Sequence, residues 1–257
     1  MAVVNHDTRD VSFKLVYCGT PMGGKTTNLQ YIHSRIENTQ RGDLVTLATS
    51  SDRTLFFDFL PIQTVVIHGY RTRFCLYTVP GQVHYQATRQ MTLKGVDGII
   101  FVADSRLERM EENLTAWRGM VRNLEDNGTP LESLPVVMQY NKRDLPGIAP
   151  PQYMEYLLNN GPRRFPSYEA SAATGTNVFA TLNALAQEVL QRFHRTASAR
   201  TNPTPAPGPQ SPAGVRPPGQ PQAATQPQAG GAAASSSPQS PPPRDPRHLT
   251  QSPALSS

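Results

Sequence analysis

The sequence predicts an α/β fold: a mostly parallel sheet with one antiparallel strand and helices on both faces. Three observations predict it. Within residues 1–196, short runs rich in β-branched residues alternate with longer stretches of helical spacing, the pattern of parallel strands buried between helices. A strand-like run ending at Cys18 passes through a glycine-rich turn directly into a helical pattern. Between Ile62 and Val79, His68-Gly69-Tyr70 separates two alternating runs, which reads as a hairpin and supplies the antiparallel strand.

In chain order, the pattern gives a strand over Val11 to Cys18, a helix over Lys25 to Thr39 and a strand over Asp43 to Ser50. The hairpin follows, Ile62 to His68 and Arg71 to Val79, then a helix over Tyr85 to Leu93. Three further strands, Asp97 to Ala103, Pro135 to Tyr140 and Pro166 to Ala170, alternate with helices over Arg109 to Asn127, Pro151 to Asn159 and Asn177 to Arg195. The strands are short apolar runs. Several helices open near Ser, Thr, Asp, Asn or Pro, the residues that satisfy or dispense with the first backbone N–H groups.

The composition divides the chain in two. Residues 197–257 hold 15 of the 25 prolines, no Phe, Tyr or Trp, and only Val215, Leu249 and Leu255 as large aliphatics. Such a segment cannot bury a core and is expected to be a disordered Pro/Ala/Ser/Gln-rich tail. Residues 1–196 form the expected single domain, long enough to bury about 70% of its unfolded surface without a disulfide or metal. They carry 20 Lys plus Arg against 18 Asp plus Glu, so most of the formal +5 charge belongs to the tail. The basic balance therefore gives no argument for a nucleic-acid partner. Cys18 and Cys75 fall in apolar runs and read as reduced core residues. No basic-then-apolar leader, membrane-length apolar run or lipidation signal is visible, so the expectation is a cytoplasmic protein without its own membrane anchor, recruited by partners.

Gly19-Thr20-Pro21-Met22-Gly23-Gly24-Lys25-Thr26 fits G-x-x-x-x-G-K-[ST] and lies between a predicted strand and helix, the context that a P-loop NTPase requires. The chemistry needs inward backbone N–H groups, a helix N-terminus that favours anions, a lysine for the terminal phosphates and a hydroxyl for Mg²⁺. Gly19, Gly23, Gly24, Lys25, Thr26 and Thr27 form the expected phosphate-binding segment, with Thr26 on the metal. A glycine-rich turn that merely starts a helix explains the glycines but not the adjoining Lys-Thr.

Asn141-Lys142-Arg143-Asp144, at the end of a predicted buried strand, reads N-K-x-D. Guanine offers N1–H and an amine that one carboxylate accepts together; adenine offers an acceptor at N1. Asp144 is therefore expected to select GTP and GDP over adenine nucleotides, with a discrimination of about 10⁴ for a site built on specific polar edges. Lys142 would lie along the base and Asn141 would brace the phosphate loop. Glu169-Ala170-Ser171-Ala172 follows the last strand, and Ser171 and Ala172 complete the expected base pocket.

With these three motifs in order, the sequence resembles a small Ras-like GTPase over about 190 residues. Asp52 to Pro61, and Tyr77-Thr78-Val79-Pro80-Gly81-Gln82, closely resemble the bacterial MglA family, as do Lys25 to Tyr31, Leu93 to Gly98 and Gln139 to Pro146. The resemblance implies a GTP-dependent switch of cell polarity and gliding motility. It also implies polarity or motility effectors that bind the switch regions, and an MglB-like roadblock-domain partner that stimulates hydrolysis.

It further implies that Gln82 orients the attacking water beside Gly81, that Thr54 joins Mg²⁺ only in the GTP state, and that Arg53 acts as an arginine finger within the chain. Together with Lys25, these are the expected catalytic residues. Phe56, Phe57 and Phe59 read as core or switch packing.

Two departures qualify the carry-over. The usual D-x-x-G is here Thr78-Val79-Pro80-Gly81, which removes the carboxylate that holds Mg²⁺ through water; Asp58, in the neighbouring loop, is the candidate replacement. Pro21 stands near the γ-phosphate where glycine is common, and proline removes an N–H. Both motivate an alternative, a GTP-gated scaffold with little hydrolysis. A P-loop kinase of small molecules is a third reading, one that would tolerate loss of Asp144.

Overall fold

The chain opens with β1 (Val3–Asn5), which pairs antiparallel with the start of β2 (Asp10–Gly19). α1 (Lys25–Arg35) and β3 (Val45–Leu47) follow, then the hairpin of β4 (Phe57–Ile67) and β5 (Tyr70–Thr78). The second half alternates α2 (Gln86–Leu93), β6 (Gly98–Asp104), α3 (Met110–Asp126), β7 (Val136–Asn141), α4 (Pro151–Leu158), β8 (Ser167–Glu169) and α5 (Val178–Thr201). The computed structural model describes residues 2–47, 57–67, 69–79 and 86–201. Residues 48–56, residues 80–85 and the tail beyond Thr201 lie outside the described residues.

The sheet runs in the order β3-β4-β5-β2-β6-β7-β8. β2 pairs parallel with both β5 and β6, β6 with β7, and β7 with β8. β4 is the antiparallel strand that the hairpin predicts, and the short β1 adds a second that no apolar run announced.

Alternation along the central strands divides the core between the two faces. Val16, Cys18, Ile99, Phe101, Val136 and Met138 pack toward Met120 and Leu124 of α3 and Met154 and Leu158 of α4. Leu15, Tyr17, Ile100, Val102 and Val137 pack toward Leu29 and Ile32 of α1 and Leu182, Leu185 and Val189 of α5. β6 is buried at every position, which is why its sequence reads as a continuous apolar run.

Local chemistry fixes the ends. α3 opens with Glu111 and Glu112 in its positive first turn, and α4 has proline at its start, where the missing N–H costs nothing. α1 stops at Arg35 rather than at Thr39, because Ile36 is extended (φ −83°, ψ 140°). α5 continues to Thr201, past the boundary at residue 196 that composition suggests.

β4 begins at Phe57 rather than Ile62, so Asp58 lies in a strand and not in a loop. Pro61 obscured this. Its carbonyl accepts from the Gly42 N–H, so its missing N–H faces that same side, outside the β4–β5 ladder. Phe59 is half-buried and packs its ring on Tyr77 at 4.9 Å; Phe56, and the side chain of Phe57, lie outside the described residues. Cys18 is buried, and burial pushes its thiol up to about 12, whereas Cys75 is only partly buried. Among the described residues no helix is long and apolar enough to cross a membrane.

Gly175 turns the chain between β8 and α5 at φ +87°, and a Cβ there would fall inside the Tyr31 ring of α1. Gly175→Ala is expected to destabilise the protein by about 1–3 kcal/mol through left-handed backbone strain and displacement of Tyr31. Thermal unfolding checks this: an unchanged Tm would contradict the packing of Tyr31 against this loop.

Candidate functional site

Parallel strands in an open α/β sheet present their carboxyl ends to one crevice, where ligands bind. Here the register Gly19↔Val102 and Asp104↔Asn141 sets the ends of β2, β6 and β7 side by side, and Tyr17↔Thr78 brings in the end of β5. Tyr140↔Glu169 places β8, and the Ser171-Ala172 turn after it, at the same edge. The apolar strands thus terminate in a buried polar band that includes Thr20, Lys25, Asn28, Asp58, Thr78, Asp104, Asn141 and Ser171.

The glycine-rich segment closes on itself through the Gly23 N–H donating to the Thr20 carbonyl, and enters α1 at Gly24 with φ +102°. A Cβ at Gly24 would collide with the Asn141 amide, so the close approach of two loops admits only glycine. No side chain caps α1 and no acidic residue occupies its first turn, which leaves the helix N-terminus to attract an anion. Lys25 is buried, with Nζ donating to the carbonyls of Thr20 (2.6 Å) and Gly19 (3.1 Å). Burial brings its ammonium down to about 8, against the opposing pull of Cys18 and Asp58. Thr26 and Thr27 are exposed at the helix start.

Asn141 ties three segments together. Its Nδ2 donates to the Gly23 carbonyl (2.8 Å) and its Oδ1 accepts from the Ala172 N–H (2.8 Å), with the side chain almost wholly buried. One turn into α1, Asn28 and Gln139 form a reciprocal amide pair at 2.9 and 3.0 Å, both fully buried, and Asn28 also donates to the Gly24 carbonyl. The phosphate-loop segment is thereby fixed to β7 by two separate sets of hydrogen bonds.

Lys142 adopts φ +66° and reaches Asp104 Oδ2 at 2.8 Å. Asp104 is fully buried and also takes two hydrogen bonds from the Arg106 guanidinium, 3.1 and 2.8 Å. Burial raises its carboxyl, but the donors Arg106 and Lys142 more than offset this and hold it below the usual carboxylate range. Arg143 bridges to Glu169 at 2.8 Å and to the Ala149 carbonyl, and so locks this loop to β8. Asp144 itself is exposed.

Asp58 is 2% exposed. Its Oδ2 accepts from the hydroxyls of Thr26 (2.6 Å) and Thr78 (3.0 Å), its Oδ1 from that of Thr46 (3.0 Å), and its own N–H donates to Thr78 Oγ1 (2.7 Å). On the other side of the phosphate-loop segment, Arg109 donates to the Pro21 carbonyl at 3.0 Å while paired to Glu112 at 2.6 Å.

Of the residues singled out from sequence, Gly19, Gly23, Gly24, Lys25, Thr26, Thr27, Asn141, Lys142, Asp144, Ser171 and Ala172 lie at this edge. Arg53, Thr54, Gly81 and Gln82 lie outside the described residues. Sequence reading passed over Asp104, Gln139 and Arg109. Only Asp104 carried a signal, as a carboxylate ending an unbroken apolar run.

The sequence pattern of the Ras family matches residues 14–191. The mutual gliding-motility protein MglA of Myxococcus xanthus (strain DK1622) is 50% identical over 195 residues, covering 76% of this chain and 99% of that protein. The Ras-related protein Rab-10 of Diplobatis ommata is 25% identical over 187 residues, 72% of this chain and 84% of its own.

Proposed function

The chain belongs to the Ras family of small GTPases, as an MglA-type member, and from that membership we propose that it is a GTP/GDP switch controlling cell polarity and gliding motility. The observation that carries the reading is Asn141, whose amide joins the phosphate-loop segment, the N-K-R-D loop and the Ser-Ala turn into one cradle. A nucleotide lying across that cradle meets the free N–H groups of the α1 N-terminus and Lys25 at its phosphates, and Lys142, Asp144, Ser171 and Ala172 at its base. Asp104 holds Lys142 by its ammonium and so sets the course of the stem that lies along the base.

Mg²⁺ is a hard cation that takes oxygen ligands, and the Thr26 hydroxyl at the start of α1 is an oxygen of that kind. When bound, the ion neutralises charge that develops on the transferred phosphoryl group. Thr54 is the second protein ligand, present only with the γ-phosphate. That differential contact makes two states of one chain. Gln82 orients the water, with Gly81 meeting the γ-phosphate, and Arg53 and Lys25 stabilise the charge. An MglB-like roadblock-domain protein places Arg53 and Gln82 and so sets the rate, and effectors read the same segments. The switch works in the cytoplasm and is recruited to a cell pole.

Single-turnover GTP hydrolysis tests this. Adding the roadblock-domain partner is expected to speed the chemical step, and Gln82→Leu or Arg53→Ala to remove at least about 10³ of the stimulated rate. A rate that the partner does not change, together with full activity in Gln82→Leu, would instead favour a nucleotide-gated scaffold.

A further inference from the structure

Thr78 stands where the D-x-x-G pattern has its aspartate, and a Ras-like site without that carboxylate lacks an anchor for the waters of its metal. The structure supplies a carboxylate at the same spot from the next strand. In the β4–β5 ladder Phe59 faces Tyr77, which sets Asp58 beside Thr78, and the two side chains meet at 3.0 Å. We propose that Asp58 is the magnesium-positioning carboxylate of this GTPase, moved from the end of β5 to the neighbouring strand β4. The proposal rests on the reading of this edge as a GTP/GDP site.

Three features carry it. The first is contact with the metal-binding hydroxyl: Thr26 donates its proton to Asp58 Oδ2 at 2.6 Å, which turns the lone pairs of that oxygen away from the carboxylate. A metal ligand whose other side is hydrogen-bonded to a carboxylate is both oriented and made more electron-rich. The second is the cost of placing a carboxylate here at all. Asp58 is almost fully buried, and an anion in that setting needs compensating charge.

Among the described residues its hydrogen-bond partners Thr26, Thr46 and Thr78 are neutral hydroxyls, and Lys25 acts on it through space, with its own ammonium turned to the Gly19 and Thr20 carbonyls. A divalent cation at Thr26 completes the compensation. The third is the inversion at Thr78. The Thr78 hydroxyl, in place of a carboxylate, accepts from the Asp58 N–H and donates to its Oδ2, so the residue at the pattern position serves to hold the substitute. Thr46 of β3 fixes the other oxygen, and the carboxylate plane is set from both sides.

The experiment follows release of fluorescent GDP from the full-length chain as Mg²⁺ is titrated against a chelator. Asp58→Asn keeps the shape and removes the charge. It is expected to raise the Mg²⁺ concentration needed for half-maximal GDP retention by about 10–100-fold, the usual cost of losing such a partner. GDP release in the chelator alone is measured for both proteins as the metal-free baseline against which each Mg²⁺ midpoint is read.

The double variant Asp58→Asn with Thr78→Asp restores a carboxylate at the same place and is expected to bring the midpoint back. An unshifted midpoint in a folded Asp58→Asn protein overturns the assignment. So does faster release in the chelator without rescue by Thr78→Asp, which marks a structural role. If the single variant fails to fold, the double variant decides: retained Mg²⁺ dependence supports the proposal and lost dependence overturns it. If the unmodified chain retains GDP equally with and without Mg²⁺, the assignment of Asp58 fails while the nucleotide site stands; if it retains no GDP at all, the nucleotide-site reading itself fails, and the assignment with it.

Discussion

Asp144→Ala is expected to weaken GDP binding by about 10⁴-fold while leaving the thermal stability of the nucleotide-free protein unchanged. The carboxylate is exposed, so its removal leaves no cavity and no stranded partner in the core. Its effect falls on the ligand alone. Guanine N1–H and its amine both lose their acceptor, and most of the preference for guanine over adenine goes with it. Competition between GDP and ADP against a fluorescent nucleotide measures this directly. Retained preference for guanine in Asp144→Ala would remove the N-K-R-D loop from the base pocket. A loss of stability equal to the loss of affinity would instead mark Asp144 as structural.

Asn141→Ala is expected to lower both stability and affinity. The amide is 1% exposed and serves two backbone groups, the Gly23 carbonyl and the Ala172 N–H. Truncation strands both in the interior, at a cost of about 1–3 kcal/mol each, so about 2–6 kcal/mol of stability is at risk. Affinity falls as well, because the phosphate-loop segment and the Ser-Ala turn no longer share a fixed strut. Urea unfolding with and without GDP separates the two effects. The Asn28–Gln139 pair still fastens α1 to β7, so the variant should remain folded. A loss below about 1 kcal/mol would show that the two bonds are replaceable by water.

Much of this was legible in the sequence because the relevant signals are local. The P-loop glycines, Asn141 and Asp144 sit at fixed offsets from strand ends, and β6 and most of β7 are apolar runs buried at every position. What escaped reading depends on partners far away in the chain. Asp58 was legible as a candidate carboxylate, but a proline three positions on disguises its strand as a loop, and its partners Thr26 and Thr78 lie 32 and 20 residues away. Gln139 looks like one polar interruption in an apolar run until Asn28, 111 residues earlier, is placed opposite it. β1 is exposed at each position and therefore carries no periodicity. Pairing across sequence distance, rather than propensity, created each of these features.

The central claim is that this edge of the sheet recognises a guanine nucleotide by its base and grips it by its phosphates with Mg²⁺. The most direct test is equilibrium titration of the unmodified full-length chain with fluorescent GDP, displaced in turn by GDP and ADP, with Mg²⁺ present and chelated. The account predicts that ADP competes about 10⁴-fold less well than GDP and that chelation loosens the complex. Equal displacement by the two nucleotides would contradict it.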